Sequence, residues 1–352
     1  MGTLAPQPIA HILVPLDGSR LAEGAVAPAL ALATRLAARV RLVHIIERGA
    51  PETIHGERHL TSTGAAEAYL QGVASRFADA GIAVEVHTHG SPEGDVADSI
   101  AIHARAGRAD LIVLCAHGRG GPRGWLSGAI AQRVVRHCGA PVLMIRQGAD
   151  PDTAPFAPRT VLVALDGTTA GEVALPAALA LARATGATLH LLVVVATVDT
   201  ITGDRAATAR LAPSATSAAL DLESATARGY LDGLRTWLAG GGLTVTTEVA
   251  RAAAAETVLA SAVRAGESVV ALATHGRAGF DAFWAASVGA RVVARTSAPL
   301  LLVGAEGPVG VGRYARVTTG EACCASRGGT KPERSSRQAS TNRAAPRPDR
   351  RA

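Results

Sequence analysis

The chain repeats itself. Ile12-Leu13-Val14-Pro15-Leu16-Asp17-Gly18-Ser19 returns as Val161-Leu162-Val163-Ala164-Leu165-Asp166-Gly167-Thr168, displaced by 149 positions (17 to 166, for example). Glu23 returns as Glu172, Leu30-Ala31-Leu32-Ala33 as Leu179-Ala180-Leu181-Ala182, and Val40–Ile46 as Leu189–Val195, at the same displacement. His117-Gly118-Arg119 recurs as His275-Gly276-Arg277, now displaced by 158 (118 to 276). The gain lies between those points, and the Thr197–Pro213 stretch is expected to carry it as a longer loop. A period of this length is one domain used twice, since each copy is large enough to enclose its own core.

Within a copy, the pattern alternates between strand and helix. His11–Leu16 is apolar and ends at the turn signal Asp17-Gly18-Ser19. Leu21–Ala38 has an Ala/Leu face, with Pro28 marking a kink or a late helix start. Val40–Ile46 reads as a buried strand, residues 47–60 as a loop, and Leu60–Ala80 as a helix stopped by Gly81. Ile82–Thr88, helix Glu93–Ala106, strand Leu111–Leu114, helix Ile130–His137 and strand Val142–Ile145 complete the half. The order βαβαβαβαβ implies a parallel sheet covered on both faces. The expected organisation is a lead at 1–9, a domain at 10–146, a Pro-containing linker at 147–158, a second domain at 159–304 and a disordered basic tail at 305–352.

Charge supports that division. The tail holds ten of the 35 basic residues and four of the 29 acidic ones, which leaves 25 of each in residues 1–304. The body therefore has no surplus to attract a polyanion, and any nucleic-acid contact is expected only through the Arg-rich tail. Aromatics make up 3% of the chain, so Ala, Val and Leu must fill the cores. No apolar run reaches membrane-spanning length and no secretory leader is evident, so the expected location is the cytoplasm. Cys115, Cys138, Cys323 and Cys324 do not form a disulfide framework; the first two read as small buried apolar residues.

Chemistry is expected where strands end. Asp17 and Asp166 follow the first strand of their copies, and glycine-containing loops follow the fourth strands as Cys115–Ala129 and Ala273–Ser287. In open parallel sheets such ends face one crevice, where a carboxylate accepts from an adenine amino group or a ribose hydroxyl. Loop N–H groups and a helix start suit phosphates. A helix cap is the plainer role for Asp17. His117, His275, Arg119 and Arg277 read as loop-capping or phosphate-side groups rather than catalytic ones. The pairs His87/His89 and His55/His59 have metal-ligand spacing but no third ligand nearby in sequence, so no metal site is assigned. No Gly-x4-Gly-Lys-Ser/Thr, His-Glu-x2-His or Gly-x-Ser-x-Gly motif is present.

Both halves resemble the universal stress protein family, over about residues 10–146 and 159–304. The resemblance implies two tandem flavodoxin-like (adenine nucleotide alpha hydrolase-like) α/β domains, each with a five-stranded parallel sheet and helices on both faces. The family's nucleotide-binding members carry Gly-x2-Gly-x9-Gly-Ser/Thr after the fourth strand. Carried over by position, Cys115, Gly118, Gly128 and Ala129 occupy that motif in the first half, and Ala273, Gly276, Ala286 and Ser287 in the second. The adenine-side acids correspond to Asp17 and Asp166, the residue before the first acid to Pro15, and the backbone contact after the second strand to Ile45 and Val194. The replaced glycines depart from the motif, because a Cβ narrows backbone approach and restricts φ.

What the resemblance implies is a non-enzymatic stress-response protein that binds ATP, ADP or AMP without catalytic residues and works through protein partners. Its rivals are a nucleotide-free scaffold with degraded loops and a slow ATPase. The apolar fifth strands, Val142–Ile145 and Leu300–Val303, are expected to pair across an intramolecular pseudo-dimer or a homo-oligomer rather than remain open edges.

Overall fold

The computed structural model describes residues 8–47, 53–54, 57–58, 60–91, 96–116, 129–146, 156–201, 203–238, 242–274 and 287–304. In the first half these form β1 (His11–Pro15), α1 (Arg20–Glu23), α2 (Val26–Leu36), β2 (Arg39–Glu47), β3 (Thr53–Ile54), β4 (Glu57–Arg58), α3 (Thr63–Asp79), β5 (Val84–Ser91), α4 (Val96–Ala106), β6 (Leu111–Ala116), α5 (Ala129–His137) and β7 (Val142–Arg146). The second half runs β8 (Thr160–Leu165), a 3-10 turn (Gly171–Ala174), α6 (Leu175–Thr185), β9 (Thr188–Val195), α7 (Asp204–Leu211), α8 (Pro213–Leu238), β10 (Val245–Arg251), α9 (Ala254–Arg264), β11 (Ser268–Ala273), α10 (Val288–Arg295) and β12 (Leu300–Val303).

Each half contributes five mutually parallel strands, in the order third, second, first, fourth, fifth. The two fives are not separate sheets. β12 pairs antiparallel with β7, placing Leu300 opposite Met144, Leu301 opposite Leu143 and Leu302 opposite Val142. One ten-stranded sheet results, β10-β9-β8-β11-β12-β7-β6-β1-β2-β5. Val142–Ile145 of β7 and all of β12 are apolar and buried, so leaving either as an edge would expose apolar side chains together with unpaired backbone groups. The core beneath α4, α5, α9 and α10 is continuous across the seam, joining Val134, Val135, Met144, Val292, Val293 and Leu300. Arg146, at the end of β7, crosses the same seam: its guanidinium donates to the carbonyl of Val293 in the last turn of α10, 3.0 Å away.

Local differences from the sequence reading have physical causes. Leu21–Ala38 is not one helix: α1 closes at Gly24 and α2 starts at Val26, so Pro28 falls in a first turn, where its missing N–H costs nothing. The stretch 47–60, expected as a loop, contains the small antiparallel pair β3–β4. The expected long loop Thr197–Pro213 contains α7, and α8 spans 26 residues against 17 in α3, so much of the second half's extra length is helical. Cys138 is buried and its thiol donates to the Val134 carbonyl; burial pushes its pKa up to about 12.

Candidate functional site

In each half the chain turns opposite ways on leaving the first and the fourth strand, and these two strands are neighbours: β1 lies against β6 and β8 against β11. That reversal opens a crevice at the C-terminal edge of the sheet. Asp17 sits two residues beyond β1, and Cys115 is the penultimate residue of β6, on the same edge. Their proximity has an electrostatic signature: burial first, and then the negative charge of Asp17, push the Cys115 thiol up to about 11. A methyl placed on Gly24 would come within 3.0 Å of Cys115 Sγ, so α1 closes over the strand end as well. In the second half Asp166 follows β8, and Ala273 ends β11 on the matching edge.

The two acids are built alike. Asp17 Oδ1 accepts from the Ser19 N–H at 2.9 Å and from the Ser19 hydroxyl at 2.6 Å. Asp166 Oδ1 accepts from the Thr168 N–H and hydroxyl at the same two distances. The hydroxyl oxygens in turn accept from the N–H groups of Ala22 and Gly171, each 3.2 Å away. The cap itself is therefore Ser19, with Asp17 bracing it from two residues before. This fixes one carboxylate oxygen and orients the group at the sheet edge. The Ser/Thr two places after each acid is visible in the sequence, but its grip on the carboxylate needs the turn geometry.

The halves differ in what lies beside that turn. Gly18 (φ +90°) and Gly167 (φ +74°) both adopt the left-handed conformation, so an L side chain is strained at either. At Gly18 an added methyl would also meet Leu60 Cδ1 at 2.7 Å, whereas at Gly167 no described residue lies within 4 Å. Leu60 is held in place through His44, which is fully buried in β2. His44 Nδ1 lies 2.9 Å from the Leu16 carbonyl and Nε2 lies 3.1 Å from the Leu60 carbonyl. The second half has Val193 at the equivalent position and no such tie. The second half has its own device at Gly171: a methyl there would lie 2.5 Å from Asp166 Oδ1. Neither His44 nor Gly171 was singled out by the sequence; a lone buried histidine and a glycine in a helical stretch carry no motif.

Of the other sequence-assigned positions, Pro15 is the last residue of β1 and half-buried. Ile45 is buried in β2 and Val194 half-buried in β9, each near the strand's C-terminal end. Ala129 begins α5. Ser287 is the N-cap of α10, its hydroxyl accepting from the Ala290 N–H at 3.1 Å. Gly118, Gly128, Gly276 and Ala286, with His117, Arg119, His275 and Arg277, lie outside the described residues, as do His55 and His59. What the described residues bring together is thus one acid and one fourth-strand end in each half. Among the described residues, two cavities of about 560 and 280 Å³ open where strands begin: one beside Ser268 and Pro299, the other beside His11, Arg41 and Gly107. They lie at the opposite edge from the acids. No helix among the described residues is long and apolar enough to cross a membrane.

The sequence model of the Universal stress protein family matches residues 8–146 and again residues 158–304. No curated protein matches the chain in sequence. A solved structure of a universal stress protein from Archaeoglobus fulgidus aligns with a TM-score of 0.58 at 17% identity, over 84% of this chain and 96% of that one. A putative universal stress protein from Pseudomonas aeruginosa gives 0.58 at 16% identity, over 85% and 94%. A Pseudomonas aeruginosa protein described as functionally unknown gives 0.60 at 15%, over 85% and 93%. At these identities the likeness concerns the fold. Two family matches that between them span both five-stranded halves of the sheet, on a chain that repeats its own first-strand turn, mean that it belongs to the universal stress protein family as a tandem two-domain member.

Proposed function

We propose that this chain is a cytoplasmic stress-response protein that binds an adenine nucleotide in the crevice of each half and acts through protein partners rather than by catalysis. The observation that carries this reading is the convergence of Asp17 with Cys115, and of Asp166 with Ala273, on the edge where neighbouring strands diverge. A carboxylate anchored through one oxygen by its own Ser or Thr is a pre-oriented acceptor for an adenine amino group or a ribose hydroxyl. The residues that would hold the nucleotide are Asp17 or Asp166 on that side, the backbone near Ile45 or Val194, and the loop positions on the phosphate side, including Ser287. Bound nucleotide supplies charge and hydrogen-bond acceptors that order these loops, and such ordering changes affinity for a partner only to the extent that the partner distinguishes the two states.

Small molecules released on denaturing freshly purified protein, identified by mass spectrometry, test this directly. An adenine nucleotide is expected, together with a rise in melting temperature on adding ATP that the Asp17→Asn/Asp166→Asn double variant loses. Absence of both the nucleotide and the shift would support the rival scaffold reading, which the Ala and Cys replacements at glycine positions favour. Turnover of ATP to ADP by protein free of contaminating activity would overturn the non-enzymatic part.

A further inference from the structure

We propose that the first half carries a divalent transition-metal site made by His87, His89 and His103, at the outer edge of the sheet. His87 and His89 are alternate residues of β5 and therefore project from one face. Their register partners on β2 are Val43 and Ile45, which belong to the core beneath α4, so that face is the one α4 covers. α4 brings His103 over the pair. The candidate ligand nitrogens of the three rings all lie within 4.8 Å of one another. The ring centroids of His87 and His89 stand 4.6 and 4.9 Å from that of His103.

Two further observations point to a ligand. His103 Nε2 is buried and has no hydrogen-bond partner among the described residues, an arrangement that costs stability unless something fills the nitrogen's lone pair or takes its proton. The cluster is also absent from the duplicate: by strand register Glu248 and Ala250 stand where His87 and His89 do, and Ser261 occupies the position of His103. Repetition of the fold thus does not require three histidines here.

Three imidazoles select a borderline ion such as Zn²⁺ over Mg²⁺ or Ca²⁺, which prefer oxygen. Tetrahedral Zn²⁺ with bonds of about 2.0–2.1 Å brings ligand nitrogens to about 3.3 Å from one another, so the rings must close inward. His87 is exposed and has room to do so. The charge of the nearby Arg41 reaches His103, but it is partly offset by Glu85: Arg41 Nη2 and Nε lie 2.6 and 3.0 Å from Glu85 Oε2. The site stands apart from both nucleotide crevices in its ligand set, and it does not rest on the nucleotide reading.

The test uses the full-length chain, freed of metal and titrated with Co²⁺, whose visible d–d absorption reports nitrogen ligands in a low-coordinate site. One equivalent is expected to generate the band, and added Zn²⁺ to bleach it. His87→Ala and His103→Gln are each expected to abolish the band. Far-ultraviolet circular dichroism checks the fold of both, and the exposed His87 keeps the test decisive if the His103 variant does not fold. The Cys323→Ser/Cys324→Ser double variant is expected to retain the band. No band in the parent chain, an unchanged band in folded His87→Ala, or its loss in the double cysteine variant would overturn the proposal.

Discussion

Gly18 and Gly167 offer a controlled comparison within one molecule. Both occupy a left-handed turn after the first strand, so replacing either by alanine costs about 1 kcal/mol or somewhat more in backbone strain. At Gly18 the new methyl must also displace Leu60, which His44 ties down from below; at Gly167 it meets no described residue within 4 Å. Gly18→Ala is therefore expected to destabilise the protein more than Gly167→Ala, measured as the shift in the urea midpoint. Equal losses would mean that Leu60 moves aside freely. The Asp-Gly-Ser/Thr turns were legible in the sequence because they recur with the right residue types at each strand end. The Leu60 and His44 arrangement was not. Leu60 is far along the chain from Gly18, and only the docking of the segment before α3 onto the end of β1 brings them together.

At the scale of the element, Ser287 has two possible duties that can be separated. As N-cap of α10 it satisfies the N–H of Ala290, and Ser287→Ala is expected to cost about 1 kcal/mol on denaturant unfolding. Ser287→Gly should cost only about a few tenths, because glycine is itself an acceptable cap residue. If the hydroxyl also serves a phosphate, the glycine variant keeps its stability and still loses much of the thermal shift caused by ATP. A shift that survives in the glycine variant would confine Ser287 to capping. The sequence placed Ser287 only as the last position of the loop motif, and its capping of α10 is seen in the folded chain. Helix boundaries elsewhere were no more legible: the division into α1 and α2 depends on Gly24 packing against Cys115 at the end of β6, a tertiary contact with no local signature. The histidine pair on β5 shows the same limit, since its third member comes from a different element.

The whole molecule turns on how four sheet edges are disposed of. β7 up to Ile145 and all of β12 are apolar and buried, while the outermost strands β5 and β10 carry Glu85, His87, Glu248 and Arg251 and stay partly exposed. Charge on an outer strand discourages further pairing, and its absence from the paired stretches Val142–Met144 and Leu300–Leu302 leaves them to pair with each other. That much could be read from composition; the antiparallel sense and the register could not, because they follow from the way two similar bodies meet across the seam. Leu143 and Leu301 face each other there, at 0% and 2% exposure. Each Leu→Ala change is expected to cost about 2–4 kcal/mol, from lost burial and the cavity left behind. Because the two side chains share one environment, the double variant should cost less than the sum, with a coupling of about 0.5–3 kcal/mol in a double-mutant cycle. Since the core runs unbroken beneath the seam, unfolding of the parent chain should remain a single transition seen alike by circular dichroism and by tryptophan fluorescence. Strict additivity of the two substitutions, or two resolved transitions in the parent, would mean that the halves fold as neighbours and that the shared sheet adds little to either.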